Sequence, residues 1–292
     1  MKKIIIYILF TVFIISCHKE NSDNKVKLAS NNSVADIEGK LFIIGGGKRP
    51  PSLIQSLIEE AGITPQDSIA ILPLSSSEPD TSFFYAKKQF TEQGFTKVHN
   101  FYIGDSLPSA DILSTLDRYP LIYLPGGDQN LFMQRIQGSE VKAILQQAYQ
   151  KGTTIAGTSA GAALMSQHMI TGNEKNHTEY RSTPAVIEKG NIEIMEGLGL
   201  FPQAIIDQHF VARSRYNRII STAIEYPQLH SIGIDESTAL CISQGKTAKV
   251  YGAAQVVKIS NPKASLKQSQ NKLGGNGLQL DIYLSGETFE IK

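Results

Sequence analysis

The chain has 292 residues, which is enough for one large α/β domain or at most two domains. Hydrophobic residues make up 41% of it and charged residues 19%, as in an ordinary globular protein with a sizeable core. The formal net charge is only +1, so the composition does not suggest a general polyanion binder, and no nucleic-acid partner is expected.

The first residues have the pattern of an export signal. Lys2 and Lys3 precede an apolar run of about a dozen residues, too short for the roughly 20-residue helix that crosses a membrane. The run ends in I-I-S-C, which resembles a bacterial lipobox, where the cysteine is acylated. We expect residues 1–16 to be a signal peptide, residues 17–37 a polar tether lipidated at Cys17, and residues 38–292 a single α/β domain. The protein would be exported and lipid-anchored to a bacterial membrane or cell surface; the alternative is an ordinary signal peptide.

The second cysteine, Cys241, lies in an apolar segment and is expected to be a small core residue. If Cys17 is lipidated, no disulfide can form. No Cys or His spacing is typical of a metal site, so neither a metal nor another cofactor is expected.

From Lys40 onward, apolar strand-like segments alternate with helix-like segments. Pro51 suits the start of the first helix and Gly62 its end. Continuous apolar strands that alternate with helices predict an α/β fold, with a predominantly parallel sheet covered by helices on both faces. The predicted strands are 40–47, 68–77, 97–104, 121–129 and 153–157, and the predicted helices are 51–62, 81–93, 110–116 and segments within about 129–151.

The alternation loosens after the fifth strand. The pattern predicts a polar loop over 171–190, a strand over 205–210, and then a helix that carries Arg213, Arg215 and Arg218. The rest of the chain is predicted to contain strands over 231–242, 248–259 and 278–285, with a linker over 261–276 before the last of them.

The segment G-T-S-A-G-A (157–162) follows the fifth strand and places Ser159 at a sharp strand–helix turn. Small neighbours permit such a turn, which exposes the hydroxyl beside the N–H groups that begin the next helix. That arrangement suits a nucleophilic serine, but a serine that only caps the helix would show the same pattern.

Ligands of parallel α/β sheets bind beyond the carboxyl ends of the strands, where three loops are predicted to meet. They are residues 45–47, residues 126–129 and the Ser159 turn. The first loop lacks both the G-x-G-x-x-G spacing and a P-loop lysine–serine pair, so it is not interpreted as a nucleotide site.

A nucleophilic serine needs a base, and His209 is the preferred candidate because it ends an apolar strand at a strand–helix junction. The other histidines are placed less favourably: His18 in the tether, His99 in a remote strand, His168 more than about 10 Å along the helix after Ser159, His177 in a polar loop and His230 at the far end of a strand. Four carboxylates are candidates for the group that orients the histidine. Glu236 is preferred and Glu174 kept as the reserve, over Asp207 and Asp235.

Five ordered blocks closely resemble the cyanophycinases, serine peptidases of the same clan as the aspartyl dipeptidases. The blocks are L-P-G-G-D-Q (124–129), G-T-S-A-G-A (157–162), G-L-G-L-F-P-Q-A-I-I-D-Q-H-F (197–210), R-S-R-Y-N-R (213–218) and G-I-D-E-S-T-A-L (233–240). The resemblance runs from about residue 40 to about residue 259, and L-S-G-E-T-F (284–289) fits the family's last strand.

The resemblance implies a class I glutamine amidotransferase-like fold, a flavodoxin-like three-layer arrangement with serine where the amidotransferases carry cysteine. It implies a Ser159–His209–Glu236 triad, with oxyanion donors from the N–H of Ala160 and from the Gly126-Gly127 turn, of which Gly127 is preferred. Family members hydrolyse cyanophycin, an aspartate backbone with arginine on each β-carboxyl, to β-Asp-Arg dipeptides. The implied substrate-site residues are Gln129, Asp207, Gln208, Arg213, Arg215 and Arg218.

Arginine forks and amide or acidic acceptors suit a peptide or polymer rich in Asp and Arg. Because the three arginines cannot share one helical face, we expect two to reach substrate and one to be structural. An isoaspartyl or aspartyl dipeptidase, an esterase-like α/β-hydrolase and a catalytically silent surface-binding homologue are the alternatives. The chain order Ser, His, Glu and the lack of an H-G-G-G motif disfavour the esterase. The oligomeric state is left open, with a homodimer as one option.

Overall fold

Alternating apolar residues of the first strand face opposite sides of one large sheet, which sets up the layers of the fold. The computed structural model describes residues 37–102 and 106–291, so the predicted signal peptide, the Cys17 lipidation and nearly all of the tether lie outside the described residues. The strands are β1 Lys40–Ile44, β2 Ile69–Ile71, β3 Val98–Asn100, β4 Leu121–Leu124, β5 Thr154–Thr158, β6 His168–Glu174, β7 Ile192–Glu196, β8 Ala204–Gln208, β9 His230–Ile234, β10 Thr238–Ser243, β11 Thr247–Gly252, β12 Val256–Ser260, β13 Lys267–Ser269, β14 Lys272–Gly274, β15 Gln279–Tyr283 and β16 Thr288–Glu290.

The helices cover this sheet or connect its strands. Pro51 begins the first helix and Gly62, at φ 64°, ends it, as the sequence predicts. A 3₁₀ turn over Ser114–Arg118 continues the third helix. The helices are α1 Pro51–Ala61, α2 Pro79–Thr91, α3 Ala110–Leu113, α4 Gln129–Arg135, α5 Val141–Gln150, α6 Ala160–Ala163 and α7 Tyr216–Glu225.

The central sheet has eight strands in the order β16-β11-β10-β1-β5-β4-β2-β3. The strands from β1 to β3 in this order are parallel, and β10, β11 and β16 extend the sheet antiparallel beside β1. Within β1, Leu41 and Ile43 pack into one core, while Phe42 and Ile44 pack into the other. Helices α1 and α2 contribute to the second core and α5 to the first, which confirms the predicted α/β fold with a mostly parallel sheet between helices.

A second sheet, in the order β15-β12-β9-β8, supplies the strands that carry the later sequence blocks. Strands β8 and β9 are parallel, so the residues that follow them lie at the same edge. The predicted single strand over 231–242 is wrong. It divides into β9 and β10, which belong to different sheets, because Asp235, Glu236 and Ser237 form a turn with Ser237 at φ 54°.

Other predicted elements also differ from the structure. Helix α6 has only four residues, so His168 opens strand β6 instead of lying on the helix after Ser159. Part of the predicted 171–190 loop belongs to β6, and the predicted 261–276 linker contains the β13–β14 hairpin. Helix α7 begins at Tyr216, after Arg213 and Arg215. The strands within 171–190 and 261–276 were not predicted, because their polar residues and glycines are typical of loops.

The described residues fall in a single compact unit. Cys241 is buried and free, and burial raises the pKa of its thiol to about 12, as expected for a core cysteine. Within residues 37–102 and 106–291, no helix is both long enough and apolar enough to cross a membrane.

Candidate active site

Ser159 directly follows β5, at φ 54° and ψ −110°, a backbone conformation that non-glycine residues rarely adopt. The turn requires glycine at position 161, because a Cβ there would lie 2.1 Å from the carbonyl oxygen of Leu124 on the neighbouring strand. The Ser159 side chain makes no capping hydrogen bond to α6. Its Oγ lies 2.8 Å from Nε2 of His209, so the geometry favours the nucleophile interpretation over the helix cap.

His209 follows β8 at φ 49° and bridges two other side chains. Its Nε2 contacts Ser159, and its Nδ1 lies 2.5 Å from Oε1 of Glu236, which sits in the turn between β9 and β10. The two sheets therefore bring the three predicted residues into one continuous hydrogen-bonded chain. That chain has the arrangement of a nucleophile, a base and an orienting carboxylate.

The loop after β1 anchors all three segments through consecutive backbone carbonyls. Each carbonyl accepts one backbone N–H: Ile44 from Ser159 at 3.0 Å, Gly45 from His209 at 2.7 Å and Gly46 from Ser237 at 2.9 Å. The end of one strand thus fixes the relative positions of the serine, the histidine and the turn that carries Glu236.

The same loop explains a glycine run that the sequence left without a function. A Cβ at Gly46 would lie 2.4 Å from ring atoms of His209, and a Cβ at Gly47 would lie 2.7 Å from Cβ of Glu236. Both glycines also have positive φ, 106° and 68°. The glycine run therefore leaves space for the His209 ring and for Glu236, a role that no motif spacing could have indicated.

The competing carboxylates are engaged elsewhere. Glu174 accepts a hydrogen bond of 2.6 Å from Nδ2 of Asn191, and Asp235 accepts from the backbone N–H of Ala212. Asp207 binds arginines and makes no contact with His209. Of the four candidates, Glu236 is the one that the structure places against His209.

Burial lowers the pKa of His209 below its ordinary value. The hydrogen bond that His209 donates to Glu236 opposes this shift, while the charges of Arg213 and Arg215 add to it. The lowered pKa favours the neutral imidazole, the state in which it can accept a proton from Ser159.

Two cavities meet at Ser159. The first, which we call the arginine cavity, has a volume of 240 Å³ and is lined by Gly127, Gln129, Gln208 and the three arginines of the 213–218 block. The second, the histidine cavity, has a volume of 270 Å³ and is lined by His209, Arg49, Tyr85 and Thr158 among others. The serine hydroxyl is thus open to a ligand from two sides.

Two of the arginines are buried. Arg218 is 1% exposed and donates two hydrogen bonds to the buried carboxylate of Asp207. Arg215 donates from Nη1 to the backbone carbonyl and the side-chain oxygen of Gln208, both at 2.7 Å. Its burial, with the nearby charge of Arg218, lowers its pKa to about 10, so it stays protonated. Nη1 of Arg218 has no hydrogen-bond partner among the described residues, which leaves a buried donor for a ligand.

The structure divides the predicted substrate residues into two groups. Gln129, Gln208, Arg213, Arg215 and Arg218 line the arginine cavity, and Arg218 also forms a buried ion pair with Asp207. The expectation that two arginines reach substrate and one is structural stays a prediction. Asp207 does not line the cavity; it lies behind it and holds Arg218. The prediction of Asp207 as a lining residue is wrong because its carboxylate is turned inward to neutralise a buried cation.

The segment between β6 and β7 also contributes to the arginine cavity. The Ser182 carbonyl accepts from Nε of Arg215, and Oγ1 of Thr183 donates to the carbonyl of Arg213. Tyr180 of the same segment lines the cavity, although the sequence indicated only a polar loop there. Asn130, which follows Gln129, lines the cavity too and was missed because the first turn of α4 showed no distinctive motif.

The predicted oxyanion donors lie beside the serine. Ala160 is the first residue of α6, and Gly127 lines the arginine cavity together with Ser159. Within the same residues, no group of three or more His, Cys, Asp or Glu side chains is placed to hold a metal ion.

Comparison with known proteins places this chain in a family. Residues 41–250 match the family model for Peptidase family S51. The chain is 30% identical over 263 residues to a cyanophycinase of Trichormus variabilis, covering 86% of this chain and 85% of the relative. It is 26% identical to a cyanophycinase of Geminocystis herdmanii, covering 88% and 95%.

Solved structures show the same fold. A peptidase from an acI-B1 actinobacterium superposes with a TM-score of 0.61 at 20% identity, covering 88% of this chain and 98% of that one. A putative peptidase E protein from Listeria monocytogenes gives 0.53 at 17% identity, covering 74% and 99%. With its family match and its cyanophycinase-like sequence, this chain belongs to the S51 family of serine-type peptidases.

Proposed function

We propose that this peptidase is of cyanophycinase type and hydrolyses the aspartate backbone of cyanophycin, or of related isoaspartyl peptides, to β-Asp-Arg-like dipeptides through an acyl-enzyme. One observation carries the proposal: the hydrogen-bonded chain Ser159–His209–Glu236 opens into a cavity lined by three arginines. The relatives named cyanophycinase add support, because the similarity extends over most of both chains.

The proposed reaction uses the chain's own residues. Ser159 Oγ attacks the backbone carbonyl carbon while Nε2 of His209 takes its proton, and Glu236 stabilises the resulting imidazolium. The N–H groups of Ala160 and Gly127 hold the negative oxygen of the tetrahedral intermediate. His209 then protonates the leaving nitrogen, the C–N bond breaks, and the acyl-enzyme remains. Water, deprotonated by His209, attacks the ester and restores Ser159.

The charge of the arginine cavity supports the proposal that the acyl half of the substrate is anionic. Its three arginines outnumber the two carboxylates there, Asp128 in the lining and Asp207 behind it, so positive charge remains for substrate carboxylates. Gln129 donates from Nε2 to the carbonyls of Ile170 and Thr171, which leaves its Oε1 as an acceptor for a donor such as a guanidinium. A substrate with both carboxylates and guanidiniums meets both requirements.

The test is to incubate the purified protein with insoluble cyanophycin, with β-aspartyl dipeptides and with a simple ester, and to identify the products by mass. Release of β-Asp-Arg from the polymer is expected. Cleavage of dipeptides alone would favour a dipeptidase, ester turnover alone an esterase, and binding without cleavage a silent homologue; each would overturn the proposal.

We also propose that the protein is exported and anchored through Cys17, as the lipobox-like I-I-S-C supports. Expression in a bacterium fed a labelled fatty acid should label the wild type and not Cys17→Ser. Equal labelling of both, or of neither, would refute the anchor.

A further inference from the structure

We propose that the histidine cavity is the subsite for the leaving group and that Arg49 binds a carboxylate of the departing residue there. The proposal rests on the proposed function, because it needs Ser159 to be acylated. It assigns a specificity role to a residue outside all of the sequence blocks described above.

The direction of proton transfer places the leaving group. His209 takes the serine proton and must give it to the departing nitrogen, so that nitrogen lies on the side where the imidazole is exposed. His209 lines the histidine cavity, whereas Gly127, on the oxyanion side, lines the arginine cavity. The acyl half therefore occupies the arginine cavity and the leaving half occupies the histidine cavity.

Arg49 is held in that second cavity by neutral partners. Its Nε donates to Oε1 of Gln89 at 2.9 Å, and its Nη1 donates to the carbonyl of Gly47 at 3.1 Å. None of the ion pairs formed within residues 37–102 and 106–291 includes Arg49. Two hydrogen bonds thus orient the guanidinium while its charge stays uncompensated. An oriented, uncompensated guanidinium is well suited to a carboxylate ligand.

The surroundings of Arg49 are also incomplete without a ligand. The hydroxyl of Thr158 is buried, lines the cavity and has no hydrogen-bond partner in the described part of the chain. Buried polar atoms are nearly always paired, so an unpaired hydroxyl beside the nucleophile indicates a polar ligand or water. Tyr85, which also lines the cavity, is 60% exposed and offers an aromatic face for a long side chain.

The neighbouring Lys48 provides a matched control. It is exposed and does not line the histidine cavity, so Lys48→Gln removes one positive charge from the same loop without removing a ligand contact. A difference between variants at the two positions would therefore report contact, not net charge.

The experiment uses two synthetic peptides with the same acyl half, a β-arginyl aspartyl residue. One carries its leaving-residue carboxylates free and the other carries them as carboxamides. We expect the wild type to prefer the carboxylate peptide in kcat/KM, and Arg49→Gln to lose about 10- to 100-fold of that preference, the range for a charge-assisted hydrogen bond. Its kcat/KM for the carboxamide peptide should stay within about threefold of wild type, and Lys48→Gln should keep the full preference.

Arg49→Lys, which keeps the charge but loses the fork, should retain part of the preference. An unchanged preference in Arg49→Gln, or an equal loss on both peptides, would overturn the inference while leaving the peptidase function intact. Failure of the wild type to cleave either peptide would instead refute the proposed function. Fluorophosphonate labelling of Ser159, which needs no leaving residue in the cavity, checks that each variant keeps a functional triad.

Discussion

The arginine cavity and the histidine cavity are similar in volume, 240 and 270 Å³, but they hold their charged groups differently. In the first, Arg215 and Arg218 are buried and bound to Gln208 and Asp207, so their positions are fixed before a ligand arrives. In the second, Arg49 is half-buried and held by neutral acceptors. Under the proposed assignment of the two cavities, the acyl half of the substrate would meet arginines that are already fixed, and the leaving half an arginine held only by neutral acceptors.

Ser159 is common to both cavities, so its replacement has the largest expected effect. Ser159→Ala should lower kcat by about 10⁴-fold or more, because no other group can form the acyl-enzyme. Steady-state release of dipeptide from cyanophycin measures this. Ser52→Ala, an exposed serine on α1, is the control and should behave as wild type. Activity near wild type in a folded Ser159→Ala protein would contradict the proposed nucleophile.

A substitution at Asp207 should distinguish the two cavities experimentally, because we expect only the arginine cavity to depend on this residue. Asp207→Asn leaves Arg218 buried without a counter-ion, which should cost about 3–5 kcal/mol of unfolding free energy. We also expect a higher KM while the Arg49-dependent preference for carboxylate leaving groups is kept. Thermal unfolding and kinetics on the two-peptide pair test both.

The control for that variant is Asp117→Asn, whose partner Lys151 is largely exposed, and it should cost at most about 1 kcal/mol. If Asp207→Asn were as stable as this control, or if it removed the carboxylate preference, the division between the cavities would not hold.

Replacing Arg213 has the smallest expected effect, a shift in the pH profile of kcat/KM. His209 must be neutral to act as base, so kcat/KM falls as the pH drops through its pKa, which burial and the arginine charges lower. Arg213→Gln removes a repelling charge, so the pKa of His209 should rise and the acid limb of kcat/KM should move to higher pH. Arg118→Gln, on the exposed surface, should leave the limb in place. A limb that moved to lower pH, or stayed fixed, in Arg213→Gln would contradict the stated role of that charge.

Features set by contacts between residues close in sequence could be predicted, whereas features set by contacts between distant parts of the chain could not. Pro51 and Gly62 bound α1 correctly because helix ends depend on local backbone chemistry. The mostly parallel sheet was also predictable, because buried strands between helices have a continuous apolar pattern. The prediction of one strand over 231–242 failed because an apolar run does not show that β9 and β10 belong to different sheets.

In the site, the residues with distinctive chemistry could be singled out in advance, whereas the contacts between them could not. Asp207 was predicted to line the substrate site because the family resemblance implies it, but its contact with Arg218, eleven residues away in sequence, could not be predicted. The Gly46 contact with His209 spans far more of the chain, and nothing in the glycine run indicates its partner. Arg49 had no motif at all; only the cavity reveals it.

The most direct test of the account is to find the acyl group. A peptide substrate mixed with enzyme, quenched in acid during the first turnovers and digested for mass mapping, should add the mass of the acyl half to the fragment that contains Ser159. The Ser159→Ala protein should show neither this addition nor product. Acylation of a different residue, or product release by Ser159→Ala at the wild-type rate, would contradict the account.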